Sequence, residues 1–166
     1  MNIYTTDKIR NVVLLGHGGS GKTSLAEAFG YLSGITSRMG KVDDGNTLSD
    51  YSKEEQKRHF SISTSVIPIE WEGYKINIID TPGYFDFVGE VEEAVSAAGA
   101  AIIVVNGKSG IEVGTQKAWE LCEKYKLPRF IYVSNMDVDN ASFRQVVEDM
   151  TNPVSYTHLT LPTNSL

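Results

Sequence analysis

Residues Gly16 to Thr23 read GHGGSGKT; they follow a short apolar run, NVVLL, and lead into a segment from Lys22 to Leu32 with Leu25, Ala26, Phe29 and Leu32 at helical spacing. The string fits GxxxxGK[ST], and its setting between a buried strand and a helix is the one in which such a string binds phosphate. Glycines let successive backbone N–H groups curl around phosphate oxygens, and the following helix turns its positive N-terminal end towards them. His17, Gly18, Gly19, Ser20, Gly21 and Ser24 are candidate members of this cradle. Lys22 would reach the β and γ phosphates, and the Thr23 hydroxyl would ligate Mg²⁺. The His17 side chain has no cluster of partner ligands in the sequence and is read as filling the loop.

The second chemical stretch is DTPG, Asp80 to Gly83. Asp80 closes the apolar run from Tyr74 to Ile79, where a carboxylate can hold Mg²⁺ through water while the Gly83 N–H is offered to the γ phosphate. Thr81 and Pro82 complete that turn and count with the nucleotide-binding residues.

Strands and helices must alternate to place two such loops together. After NVVLL and the first helix, Gly34 to Phe60 is polar, glycine-punctuated and long, as for a mobile functional loop. One short helix is expected in it, at SKEEQKR, with its charges on a solvated face. Ser61–Glu70 and Tyr74–Ile79 flank a Trp-Glu-Gly turn and read as an antiparallel hairpin. A helix over about 88–98, a strand AAIIVV, a helix over about 114–126, a strand FIYV and a helix from Ser142 follow. Such alternation predicts an α/β fold with a mostly parallel sheet and one antiparallel edge hairpin.

Composition bounds the functional classes. The chain has 166 residues, 41% of them hydrophobic, a net charge of -6 and a pI near 5.0. That suits one domain with a proper core and excludes holding nucleic acid by bulk electrostatics; no direct sequence-specific nucleic-acid binding is expected of it. Cys122 is the only cysteine, so neither an internal disulfide nor a cysteine zinc site can form, and the cytoplasm is the expected location. The longest apolar stretch, AAGAAIIVV, is about half of what a spanning helix needs, so no membrane insertion is expected.

From Thr151 the sequence runs TNPVSYTHLTLPTNSL, without one charged residue. Val154 to Thr163, VSYTHLTLPT, resembles the translation of a transposon-type sequencing adapter. Residues 153–166 are therefore expected to be a non-native tail, and residues 1–152 an incomplete domain.

GHGGSGKT and DTPG, together with YLSGITSRMGKVDDGN and EVEEAVSAAGAAIIVV, resemble the GTP-binding domain of elongation factor G and its relatives, including tetracycline-resistance ribosomal protection proteins. The likeness runs from about residue 8 to 152. It implies a P-loop NTPase fold similar to Ras, cut short before its last strand and helix. It also implies GTP and GDP as ligands, Mg²⁺ as cofactor, GTP hydrolysis as activity, the ribosome as partner and a monomeric state.

Three departures bear on that expectation. Where the family writes RGITI this chain has RHFSI, so Ser61 takes the metal-ligating threonine position. Where the family writes NKxD it has Ser134 to Asp137, SNMD. Asp137 can still accept two hydrogen bonds from guanine, whereas Ser134 replaces an amide and Asn135 replaces a lysine whose stem covers the base; guanine affinity is expected to be weaker. Where the family writes DTPGH, with a histidine that orients the attacking water, this chain has Tyr84. Tyr84 and Gly83 are the candidate catalytic residues. A phenol keeps a donor and an acceptor but titrates near ~10, and packing of Tyr84 against Phe85 and Phe87 is the alternative. The expected function is accordingly a GTPase, with a slow or non-hydrolysing GTP switch as alternative and a P-loop ATPase as a more distant one.

Overall fold

The computed structural model describes residues 3–151. Its elements run β1 (Ile9–Leu15), α1 (Lys22–Leu32), α2 (Lys53–Arg58), β2 (Ser65–Trp71), β3 (Tyr74–Asp80), α3 (Val88–Ala97), β4 (Ala100–Asn106), α4 (Val113–Lys124), β5 (Arg129–Ser134) and α5 (Phe143–Thr151). The expected order of elements is therefore met. The expected foreign tail lies outside the described residues.

The sheet order is β2-β3-β1-β4-β5, with β2 and β3 antiparallel and the other neighbours parallel. Strand β1 is central because its apolar run can be covered from both sides. Leu14 faces Ala26 of α1 with Ile67, Ile69 and Ile78, while Val13 and Leu15 face Val95 of α3, Ala118 and Cys122 of α4 and Val146 of α5. Burial pushes the Cys122 thiol up to about 11, as for an inert core filler.

The register decides where chemistry can happen. Leu14 lies beside Asp80 across the β1–β3 pair and beside Ile102 across the β1–β4 pair. The chain after β1 and the chain after β3 therefore leave the sheet together, at the carboxyl ends of the strands where open α/β sheets bind ligands.

Two expectations need correction. Residues 61–64 continue the alternating pattern of β2 in sequence but are not strand. Ser65 pairs with Asp80, the last residue of β3, and beyond it Pro82 turns the partner strand away. Among the described residues no strand is left to pair with Ser61–Thr64, and Thr64 bonds instead to Glu90, its N–H to the carboxylate at 2.7 Å. The loop 34–60, read as mobile, is anchored by buried carboxylates described below. Its short helix α2 forms where expected, capped by Ser52 in a capping box with Glu55. Glu55, however, is buried and not part of a solvated face.

Among the described residues β5 has a strand neighbour on one side only, and Phe130 on it is 69% exposed. An open edge carrying an exposed aromatic ring is a template for pairing. The 166-residue chain should therefore self-associate in light scattering. Monodisperse material that unfolds cooperatively would count against this.

Candidate functional site

The phosphate loop has the conformation its glycines suggest. Gly16 adopts φ +141°, and a Cβ there would stand 2.3 Å from the Val104 carbonyl oxygen, so no other residue fits. Gly19 (φ +77°) and Gly21 (φ +92°) are left-handed, and Gly21 caps the start of α1. Alternation of this kind turns consecutive N–H groups into one concavity. Lys22 folds back over it, its Nζ donating to the carbonyls of Gly16 (3.1 Å) and His17 (2.8 Å). Burial lowers its pKa to about 8, against the opposing fields of Asp80 and Glu112. Gly18, Gly19, Gly21, Lys22, Thr23 and Ser24 line one wall of a cleft of about 410 Å³.

His17 behaves as loop filler. Its Nδ1 accepts from the Gly114 N–H at 3.3 Å, and its Nε2 lies 3.6 Å from Glu112, which ties the loop to the start of α4. It contributes its carbonyl to Lys22, and its side chain is not among those lining the cleft.

The three expected metal residues converge. The Thr23 hydroxyl donates to Asp80 Oδ2 at 2.8 Å and lies 3.1 Å from Ser61 Oγ. Asp80 is buried, and desolvation pushes its carboxyl up to about 6 although Lys22 and the Thr23 and Ser49 hydroxyls pull the other way. Its Oδ1 has no hydrogen-bond partner. Gly83 meets the opposite wall so closely that a Cβ would stand 2.5 Å from Lys22 Nζ and 2.7 Å from Gly18. Pro82 is buried beneath it. Thr81 is present but committed elsewhere: its hydroxyl donates to the Leu14 carbonyl at 2.6 Å, leaving no side-chain hydrogen for a ligand.

Sequence reasoning missed three acids. Asp50 is buried with an unpartnered Oδ1, its pKa raised by burial and by Glu55 while the Ser61 hydroxyl opposes the shift. Glu27 of α1 accepts from the N–H of Gly40 at 3.0 Å and from that of Leu48. Glu55 accepts from Ile62 (3.0 Å) and Ser63 (3.1 Å); burial alone would raise its pKa, and these backbone donors bring it below its ordinary value. Glu27 and Glu55 hold the loop that brings Ser61 to Thr23 and Asp50 within the field of Asp80.

On the base side, Ser134 Oγ donates to the Ser20 carbonyl at 2.6 Å and lies 3.2 Å from that of Val105. A hydroxyl thus links the end of β5 to the phosphate loop at the position where the sequence lacks the expected amide. Asn135 is left-handed (φ +52°), and it and Asp137 sit on the exposed turn that follows. Tyr84 packs on Phe60 from the loop before β2, ring centroids 4.8 Å apart at 61°. The sequence reading named Phe85 and Phe87 as its packing partners and did not include Phe60.

A cradle of N–H groups, a buried lysine and a hydroxyl pair beside an unsatisfied carboxylate oxygen thus meet at the carboxyl end of the sheet. The family of the elongation factor Tu GTP binding domain matches residues 7–162. The chain belongs to this family. Elongation factor G 2 of Borreliella afzelii is 41% identical to this GTP-binding domain over 144 residues, 87% of this chain and 22% of that protein. The mitochondrial ribosome-releasing factor 2 of Drosophila ananassae is 38% identical over 145 residues, 87% of this chain and 20% of the other. A crystal structure from Thermus thermophilus superposes with TM-score 0.83 at 40% identity, over 86% of this chain and 22% of that one. The GTP-binding domain thus spans about a fifth of the length of these relatives.

The raised Asp80 pKa carries a sign. An acid that binds its proton more tightly folded than unfolded costs the fold stability as pH rises from its unfolded value, 3.8, to about 6, and the full cost persists above that. Asp80→Asn should therefore raise the thermal midpoint of the ligand-free domain by a few degrees near pH 7.5. The advantage should shrink as pH falls through 6 towards 4, and an advantage independent of pH in calorimetry would contradict the assignment.

Proposed function

We propose that this domain binds GTP with Mg²⁺ and hydrolyses it to GDP and phosphate, and that its parent protein, acting as a monomer in the cytoplasm, uses the cycle on the ribosome. The convergence of Thr23, Ser61 and Asp80 carries this reading: two hydroxyls and an unsatisfied carboxylate oxygen come from the start of α1, the loop before β2 and the end of β3 to one point beside Lys22. Among the described residues no cluster of three or more His, Cys, Asp or Glu forms a metal cage. Hydroxyls, a carboxylate, phosphate oxygens and water are the oxygen ligands a hard cation takes. When bound, Mg²⁺ would neutralise charge developing on the β and γ oxygens.

The side chains would divide the work as follows. Lys22 exchanges the carbonyls of Gly16 and His17 for phosphate oxygens. Thr23 and Ser61 would ligate the metal directly, with Asp80, and Asp50 beside it, accepting from its water ligands. The N–H groups of the loop and of Gly83 bind phosphate oxygens, and Tyr84 borders the place where water must attack. Asp137 would accept from the two guanine N–H groups that adenine lacks, beside Asn135. The names elongation factor G 2 and ribosome-releasing factor 2 belong to translation proteins, and no helix among the described residues is long and apolar enough to cross a membrane. The relatives' names support the ribosome as partner.

Competition binding to the full-length protein tests this. GDP and GTP should displace a fluorescent guanine nucleotide where ATP does not. Asp137→Asn should weaken GDP about tenfold to a hundredfold, the worth of hydrogen bonds to a charged group. Equal competition by ATP in the unaltered protein would refute the guanine assignment.

A further inference from the structure

His17 belongs to the phosphate loop by its backbone, while its side chain turns away from the cleft. Its carbonyl accepts from Lys22 at 2.8 Å and from the Ser20 N–H at 3.2 Å, so the tilt of this one peptide group sets where the lysine rests and how the loop turns. The imidazole reaches the first residues of α4, where three contacts meet it. Gly114 lies in the first turn of that helix, whose N–H groups have no partner inside the helix, and His17 Nδ1 accepts the Gly114 hydrogen at 3.3 Å. An N–H can only donate, so Nδ1 is bare and the imidazole hydrogen sits on Nε2. Nε2 faces the Glu112 carboxylate at 3.6 Å. The two backbones also touch: a Cβ on Gly114 would stand 2.5 Å from His17 Cα and 2.9 Å from its N and Cβ. Gly114 has no positive φ, so what glycine provides there is room.

We propose that Glu112 and Gly114 are positioning residues for nucleotide binding that act through His17, bracing the phosphate loop against the start of α4 and slowing release of the bound nucleotide. Gly114 sets how closely the loop seats on the helix. Glu112 sets the imidazole, since a carboxylate beside Nε2 favours the tautomer that leaves Nδ1 bare for the Gly114 N–H. Four of the eight residues from Gly16 to Thr23 are glycine, the residue that loses most conformational freedom on ordering. Such a loop binds phosphate best when something outside it has already ordered it. Helix α4 can do so because it is fixed itself, with Ala118 and Cys122 in the core and Lys124 paired to Glu92 of α3 at 3.0 Å.

Release kinetics rest on the guanine-nucleotide reading above and the geometry of the brace does not, so two measurements are needed. The first is stopped-flow release of a fluorescent GDP from the full-length protein, with thermal midpoints alongside. Glu112→Ser and Glu112→Gln remove the same charge. Serine is a favoured N-cap but too short to reach His17, while glutamine keeps an oxygen at the reach of the carboxylate. Glu112→Ser should release GDP about three- to tenfold faster, the worth of one ordinary hydrogen bond, at a nearly unchanged thermal midpoint. Glu112→Gln should bring release back to within about twofold of the unaltered protein. Gly114→Ala should accelerate release at least as much as Glu112→Ser, because its Cβ has to displace the loop backbone. In a His17→Ala background Glu112→Ser should add nothing, since the ring through which Glu112 acts is gone. Equal acceleration by serine and glutamine would mean that the field of Glu112 on Lys22 matters and the contact does not. That result, effects that add, or normal GDP release from Glu112→Ser would each overturn the proposal.

The second measurement is hydrogen exchange at the Gly114 amide in the ligand-free protein. A first-turn amide exchanges readily unless a group outside its helix accepts from it. Gly114 should be protected, and the protection should fall in His17→Ala and Glu112→Ser and remain in Glu112→Gln. An unprotected Gly114 amide in the unaltered protein would overturn the brace even if GTP binding holds. Protection in a protein that binds no guanine nucleotide would instead refute the nucleotide reading and leave the brace as a feature of the fold.

Discussion

Lys22, the first residue of α1, and Asp80, the last of β3, are an ammonium and a carboxylate buried within reach of each other's field, and neither could remain there charged in an apolar setting. Their pKa values have moved in opposite directions from the same cause, desolvation, and each field tempers the shift of the other. Everything around them moderates that cost. The Gly16 and His17 carbonyls take the lysine's hydrogens, and Thr23 gives its hydrogen to the aspartate. One carboxylate oxygen is left over. Under the proposed function, anionic phosphate beside Lys22 and a cation beside Asp80 would relieve both costs at once.

The loop between α1 and β2 would be too long and polar to order itself by burial. It is ordered by geometry instead. Glu27 collects N–H groups from its beginning, and Glu55 collects them from its end, each committing a buried carboxylate to backbone donors that would otherwise need water. Hydrogen bonds to a charged acceptor are stronger than those between neutral groups, at about 1.5–3 kcal/mol. Two such acids hold a segment that has little apolar surface to bury.

Local chemistry was legible in the sequence. Gly16 to Thr23 announces itself because a phosphate loop is built from consecutive residues, and the strand and helix order followed from periodicity that needs no tertiary knowledge. Asp80, Thr23 and Ser61 were nameable, the last through family likeness. Asp50, Glu27 and Glu55 were not, since their role depends on which backbone groups the fold brings to them, and in sequence they look like surface acids. The start of β2 was misread because Ser61 to Ser65 alternates like a strand, and only the position of the last residue of β3 shows that the pairing has ended. Tyr84 raised the right question, and its partner, Phe60, came from a segment that sequence distance had hidden.

Cys122 lies on the buried face of α4 with its thiol pushed up to about 11. Burial both hides the sulfur and disfavours the thiolate that reacts with an alkylating probe. With no other cysteine in the sequence, the folded chain should react little with maleimides without any engineering. A thiol introduced at Tyr51, which is 68% exposed on the long loop, would be the sole labelling position. A dye placed there could follow the docking and release of that loop in single molecules while the core remains untouched.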